Sequence, residues 1–445
     1  MPDLLLVDFG ASRVKSVLWS EQRRCVVDEA EVAAPAPTYG PRGEVEVAPE
    51  AYWSALEATA GRLVAKHPSV DSLWLCTEMH GVIVADRNGV PLTPYISWRD
   101  GRAVFNDASG ASTFDKLVAR GDAFFSQSGM KLRAGLPIAS LAHMVAQRTL
   151  PSALRLFTLA DWLLWRGGER KPAIHASLAA GTGFYDIHRQ IWSSDLFDLA
   201  GLAIREDQMA ALVPVGALAG FIGLVGRKIR VFGGVGDLQA AVFGAGFSGQ
   251  ANLAVNLGTG SQVLRAWHNI PAGIERRPGV DGRDFAAITH IPSGRALNVF
   301  SAFFDDCARL GGGESFFWRR FDGLSSEQVL NAKLEVDMNV FAASWKHERG
   351  GSIRLIHEGG FNLDELLASI AKGWLGQYVA AMEELDPGRE DMTFLVSGGL
   401  ARRAGFVSTV LSALSARGAR PVETLTGEET LDGLLALARS CGHVD

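Results

Sequence analysis

Cysteine is scarce: the 445 residues hold four, Cys25, Cys76, Cys307 and Cys441. They lie far apart and form no C-x-x-C pair, which argues against a disulfide framework or a thiolate zinc site and for reduced thiols in a cytoplasmic protein. Neither sign of charge is in large excess, with Lys+Arg 43 against Asp+Glu 49 and a formal net charge of −6. Nucleic-acid and acidic-membrane partners are therefore not expected. The motif G-x-x-x-x-G-K-[ST] is missing, which excludes a P-loop. Gly244 to Gly249 matches G-x-G-x-x-G by count, but here a helix pattern precedes it and a strand pattern follows, the reverse of a dinucleotide fingerprint. No basic segment opens the chain and an acid stands at position 3, so no signal peptide is expected. The 18-residue stretch 209–226 is uncharged but holds Pro214, Gly216, Gly220, Gly223 and Gly226. It reads as a turn-rich connection between domains rather than a membrane span.

Hydrophobic residues make up 47% and charged residues 21%, an ordinary globular balance. The length suggests two or three domains at roughly 150 residues each. Within this, Gly233-Gly234-Val235-Gly236-Asp237 stands out: three glycines in four residues, one carboxylate, then small and apolar residues to Gly246. Glycines permit tight turns and close approach of a ligand. Asp237 at the start of a helix is favoured by the macrodipole. The residues alone leave two roles open for it, an N-cap or a chemical group.

Leu4 to Val7 and Val17 to Trp19 read as two strands joined by the turn Asp8-Phe9-Gly10-Ala11-Ser12-Arg13-Val14-Lys15. Such a turn can hold phosphates, or be a plain hairpin with solvated charges. Residues 35–49 read as a loop and Tyr52 to His67 as an amphipathic helix. Leu73 to Cys76 is a buried strand delivering Glu78, Met79 and His80 to its C-terminal end, where ligands of α/β sheets bind. Asn88-Gly89 signals a hairpin between 82–85 and 91–98. It leads into Trp98-Arg99-Asp100-Gly101-Arg102, which suits a polyol contact or a surface salt bridge beside a core Trp. Residues 113–165 are mostly helical, with Thr158 and Asp161 in capping-box spacing. Residues 176–186 read as loop-rich, with a helix following over 192–202.

In the C-terminal half, Lys228 to Phe232 is a strand into the glycine stretch. Asn256-Leu257-Gly258-Thr259-Gly260 then repeats the pattern of Asp8 to Ser12: an apolar strand, Asp or Asn, a Gly-containing turn and a second strand. Two similar domains, each opening on a phosphate-type turn, are expected on either side of one cleft. Ala296 to Leu310 reads as a helix. Phe394 to Val396 is a buried strand ending in Ser397-Gly398-Gly399, where the backbone can be approached closely. Phe406 to Leu414 reads as another helix.

These segments, in this order, resemble the FGGY carbohydrate kinases, of the actin/hexokinase-like ATPase fold. Asp8 to Lys15 is similar to that family's first phosphate motif and Met79-His80-Gly81 to its sugar-contacting motif. Trp98 to Arg102 is similar to its W-x-D-x-R, and Gly236-Asp237 to its catalytic loop. Asn256 to Gly260 resembles the second phosphate motif and Ser397 to Gly399 the adenosine motif. The resemblance implies an α/β fold of two actin-like (ribonuclease H-like) domains around a central cleft, divided here at 1–220 and 221–445. It implies ATP and Mg²⁺, with Asp237 as general base and Asp8 near the metal. Nucleotide contacts would fall on Gly10, Ser12, Lys15, Gly258, Thr259, Gly260, Ser397, Gly398 and Gly399. Sugar contacts would fall on Glu78, Met79, His80, Trp98, Asp100 and Asp237.

Trp98 to Arg102 and Gly236 to Ala240 look most like sedoheptulokinase, with xylulokinase-like and ribulokinase-like members as rivals. The expected substrate is a C5–C7 ketose, and a homodimer is a possible assembly. Three departures stand out. Ala11 replaces the usual Thr, Glu78 stands where Gln is common, and the chain is short between about residues 265 and 350. Ala11 keeps open a catalytically weakened sugar- or nucleotide-binding protein. A protein-directed actin-like ATPase has no use for the sugar motifs.

Overall fold

The computed structural model describes residues 3–106, 110–151, 154–246, 252–258, 261–267, 270–341, 344–346, 350–386, 392–416, 418–422 and 429–444. They form two compact α/β units. The first comprises Met1–Gly244, Glu275–Asp284 and Thr426–Asp445; the second, Ala245–Ile274 and Phe285–Leu425. The division thus falls after Gly244 rather than at the expected 220/221. The reason is visible in the sheet. The strand Arg227–Gly236 runs parallel to Ser72–Thr77, with Val231 beside Leu73 and Gly236 beside Thr77, so the glycine stretch is part of the first unit's core.

The first unit's sheet has the order Leu218–Leu224, Arg227–Gly236, Ser72–Thr77, Leu4–Phe9, Arg13–Ser20, Cys25–Ala33. Leu4–Phe9 and Arg13–Ser20 are the expected antiparallel hairpin, closed by the Gly10 N–H on the Arg13 carbonyl at 3.0 Å. Ser72–Thr77 is buried at every position, as suits a central strand with parallel neighbours. Two helices pack together because their glycines let the backbones meet. A Cβ at Gly433 would lie 1.8 Å from the Ala240 carbonyl, and one at Gly244 would lie 2.3 Å from that of Glu429.

Several expectations are corrected here. Residues 209–226 are not a linker. Leu218–Leu224 pairs antiparallel with Arg227–Gly236 around a tight turn at Val225 and Gly226. Residues 176–186 contain a buried helix, Ala176–Gly181. The expected hairpin does form, with bridges Val82–Ile96 and Ala85–Pro91 around the Asp86–Gly89 turn, and Ile83–Ala85 takes Arg155–Phe157 as a further ladder partner. The 35–49 segment holds two short strands, Thr38–Tyr39 and Val45–Val47. The helix expected over 52–67 runs as Pro49–Leu56 and Arg62–Lys66 with a π-turn at Glu57–Gly61. The Thr158/Asp161 box forms as read, the Thr158 N–H donating to Asp161 Oδ1 at 2.7 Å.

In the second unit, Leu253–Asn256 and Gln262–Trp267 form an antiparallel hairpin, and Thr393–Ser397 runs parallel beside Leu253–Asn256. This is the arrangement of Leu4–Phe9, Arg13–Ser20 and Ser72–Thr77 in the first unit, so the internal repeat read from the sequence is structural. The core of this unit gathers on helix Leu363–Leu385, with Trp374 and Tyr378 fully buried. The expected helices near the ends of the unit form as Gly294–Leu310 and Val407–Leu414. No described helix is long and apolar enough to cross a membrane.

Candidate functional site

Three parallel strands of the first unit, Leu4–Phe9, Ser72–Thr77 and Arg227–Gly236, end in register, Phe9 beside Thr77 and Thr77 beside Gly236. Their C-terminal ends deliver Asp8 to Gly10, Glu78 to His80, and Asp237. Leu4–Phe9 and Ser72–Thr77 are short and buried, and the last residues of Arg227–Gly236, Gly233 to Gly236, are buried too. This sheet edge is the general ligand position of parallel α/β sheets.

Asp237 opens helix Asp237–Gly244, its Oδ1 accepting the Leu238 N–H at 2.7 Å. Asp237 is half-buried, and its carboxyl is pushed up to about 7 by burial first, then by the Asp8 charge, and then by Glu78. That group can hold or release a proton near neutrality, the property a general base requires. Asp8 itself accepts a hydrogen bond from the buried Cys76 thiol at 3.3 Å. Burial, followed by the charges of Asp8 and Asp237, holds that thiol well above its usual range, so it stays an unreactive donor.

Glu78 is buried and tethered at both oxygens. Tyr52 Oη donates to Oε1 at 2.8 Å and Trp98 Nε1 to Oε2 at 3.2 Å. Trp98 is 36% exposed, with the Arg99 guanidinium 5.1 Å over its ring. An accessible indole beside a carboxylate suits a sugar, which offers an apolar face and hydroxyl donors.

His80 has φ +65°, a strained left-handed conformation for a non-glycine residue. Its Nδ1 donates to the Gly181 carbonyl at 2.8 Å, which makes Nε2 the acceptor of the neutral ring. Met79 is buried with its Sδ against Gly236, where a Cβ would come within 2.6 Å of it.

Asp100 turns inward. Its oxygens accept from the Val45 N–H at 2.8 Å, Arg102 Nε at 2.8 Å and Nη2 at 2.9 Å, and Ser140 Oγ at 3.3 Å. It thereby fixes the loop that carries Trp98, instead of presenting itself as the expected sugar contact. Lys15 pairs with Glu29 at 3.1 Å on the neighbouring strand. Gly10, Ala11 and Ser12 form the hairpin turn, with Ala11 and Ser12 exposed.

In the second unit, the parallel pair Leu253–Asn256 and Thr393–Ser397 brings two expected nucleotide motifs together. Asn256 Nδ2 donates to Ser397 Oγ at 3.2 Å, and the Leu257 N–H to the Ser397 carbonyl at 2.8 Å. Gly398 has φ +94°, and a Cβ there would lie 2.6 Å from the Leu257 carbonyl oxygen. Gly258 follows this strand and Gly399 opens a short helix. Thr259 and Gly260, expected phosphate contacts, lie outside the described residues.

Sequence reading missed the support of this site. Helix Ala176–Gly181 is capped by His175, whose Nδ1 accepts the Ser177 N–H at 3.2 Å. Ser177 Oγ lies 3.0 Å from that same Nδ1 and accepts the Gly236 N–H at 3.0 Å, while the His175 N–H donates to the Gly234 carbonyl at 3.0 Å. Burial holds His175 down to about 4, so it stays neutral. One six-residue helix thus holds the Asp237 loop at its start and His80 at its end. The signal was weak because His is not among the preferred N-caps.

The chain is 29% identical over 279 residues to an apulose kinase of Pectobacterium atrosepticum, covering 59% of this chain and 54% of that one. It is 32% identical over 280 residues to a glycerol kinase of Delftia acidovorans, again covering 59% and 54%. The chain spans about half the length of these curated relatives. Its fold matches the ligand-bound xylulose kinase of Lactobacillus acidophilus with a TM-score of 0.80 at 15% identity, covering 100% of this chain and 90% of that one. Residues 4–244 match the N-terminal domain of the FGGY family of carbohydrate kinases, and the chain belongs to that family.

Proposed function

We propose that the protein transfers the γ-phosphoryl group of ATP to a hydroxyl of a small sugar, with Asp237 as general base. The observation that carries this reading is the placement of Asp237. Its carboxyl is raised to about 7 beside Asp8 and Glu78, at a strand edge shared with Met79 and His80. Phosphoryl transfer asks the protein mainly for positioning, charge stabilisation and an acceptor for the hydroxyl proton. Asp237 supplies the acceptor. Glu78, His80 and Trp98 orient the sugar. Gly10, Ser12 and Lys15 in the first unit, and Gly258, Thr259, Gly260, Ser397, Gly398 and Gly399 in the second, take the nucleotide contacts implied by the family motifs.

Asp8 fits Mg²⁺, which uses one or two carboxylates and completes its shell with phosphate oxygens and water. The described residues offer no cluster of three or more ligating side chains, so a dedicated protein cage is not the arrangement here. When bound, the cation neutralises phosphate charge; Asp8 would hold it, and Asp237 would remain the proton acceptor.

The finer reading is a C5–C7 ketose, sedoheptulose-like first and xylulose or ribulose next. It rests on Trp98 to Arg102 and Gly236 to Ala240. ADP release across a panel of C4–C7 ketoses and polyols tests it, and no sugar-dependent release from any of them would sink the kinase reading. Ala11, which takes a hydroxyl out of the first turn, favours the second reading of a weakened binder. Sugar binding without ADP release in the same panel would select it.

A further inference from the structure

We propose that Glu78 makes the sugar site a filter against sugar acids, so that the substrate is an uncharged polyhydroxylated sugar. The inference deepens the kinase reading and rests on it for where the sugar lies.

Glu78 is only 8% exposed, and among the described residues no cation pairs with it. Its two tethers, Tyr52 Oη and Trp98 Nε1, are neutral donors, each on one oxygen, and the neutral Tyr95 hydroxyl interacts with it as well. A carboxylate oxygen has two lone pairs, so both oxygens can still accept from sugar hydroxyls. Tyr52, Tyr95 and Asp237 are each raised by burial first, and the charge of Glu78 adds to all three.

A hydroxylated sugar satisfies such a wall by donating. A sugar acid cannot donate from its carboxylate, and it would add a further negative charge beside Asp8, Glu78 and Asp237. The neighbouring cation Arg99 is exposed and stacks on the Trp98 face. A glutamine at position 78 would keep an oxygen for Trp98 and gain an N–H donor that welcomes a carboxylate. The filter is therefore a repulsive element, built from one atom's difference in the side chain.

Titration calorimetry of the full chain without nucleotide tests this, using D-ribulose, D-xylulose and D-sedoheptulose against D-gluconate and D-xylonate. The wild-type protein should bind at least one neutral sugar about tenfold or more tighter than either acid, and Glu78→Gln should shrink that ratio by about tenfold or more. Glu78→Asp, which keeps the charge, should retain the preference, and covers the case in which Glu78→Gln fails to fold. Equal or tighter binding of the acids by the wild type, an unchanged ratio in Glu78→Gln, or no binding of either class would overturn the proposal. ADP release is read separately: selective binding without it would sink the kinase reading and leave the filter standing.

Discussion

The Ser177 hydroxyl accepts the backbone N–H of Gly236 at 3.0 Å across 59 residues of sequence, and so holds the residue immediately before Asp237. The hydroxyl proton points to the neutral His175 ring, giving the chain of bonds one direction: Gly236 to Ser177 to His175. Ser177→Ala should therefore lower kcat by about tenfold or more with little change in sugar KM, because it loosens the base and leaves the sugar contacts intact. Ser177→Thr keeps the hydroxyl and should recover most of the rate. A shift in KM alone, or no rescue by Thr, would count against positioning.

Asp237→Asn should keep ATP and sugar binding and lose about 10²–10⁴ in turnover, the usual worth of a positioned base. The wild-type rate should rise with pH through about 7, where Asp237 gives up its proton. The same shift fixes a stability trend. Asp237 is raised in the folded protein from its ordinary 3.8, so the folded state binds more protons than the unfolded one between 3.8 and about 7. Its contribution is present below that window and is lost as pH climbs through it. Asp237→Asn, which cannot ionise, should melt higher than wild type at pH 8, with the gap closing near pH 4. Melting curves at both pH values decide this.

The two hairpins and the strands Leu4–Phe9 and Ser72–Thr77 were legible because each is a short apolar run that stops near a glycine or an acid. The repeat of Asp8-to-Ser12 and Asn256-to-Gly260 was legible for the same reason. What the sequence hid was long-range. Leu218–Leu224 is a glycine-rich strand, and it looked like a linker because its pairing with Arg227–Gly236 carries no side-chain pattern. Asp100 looked like a ligand because its saturating donors come from Val45, Arg102 and Ser140, two of them remote in the chain. Tyr52, Ser177 and Gly181 act through contacts with residues far away in sequence, which local periodicity cannot register.

The Asp100–Arg102 pair is buried, with side-chain exposures of 0% and 9%, and Arg102 also bonds Glu46 at 2.6 Å. Removing one partner strands the other charge, at a typical cost of about 3–5 kcal/mol. Arg102→Met should therefore destabilise the first unit strongly and lower sugar affinity as the Trp98 loop loses its anchor. Chemical denaturation measures the first effect and calorimetry the second. An unchanged midpoint would show that the loop is held by other bonds.

Gly398 gives a test confined to the second unit. Its φ of +94° disfavours any side chain, and a Cβ would meet the Leu257 carbonyl oxygen at 2.6 Å, closer than van der Waals contact allows. Gly398→Ala must push the Ser397 strand end away from the Leu257 turn, which shares a backbone bond with it at 2.8 Å. These are the segments expected to meet the nucleotide. ATP affinity should fall by about tenfold or more while sugar affinity, set by residues of the first unit, stays the same. Parallel titrations with ATP and with the preferred sugar separate the outcomes. A loss of both would mean that the substitution unfolds the protein rather than reshaping one turn, and melting the variant would show which.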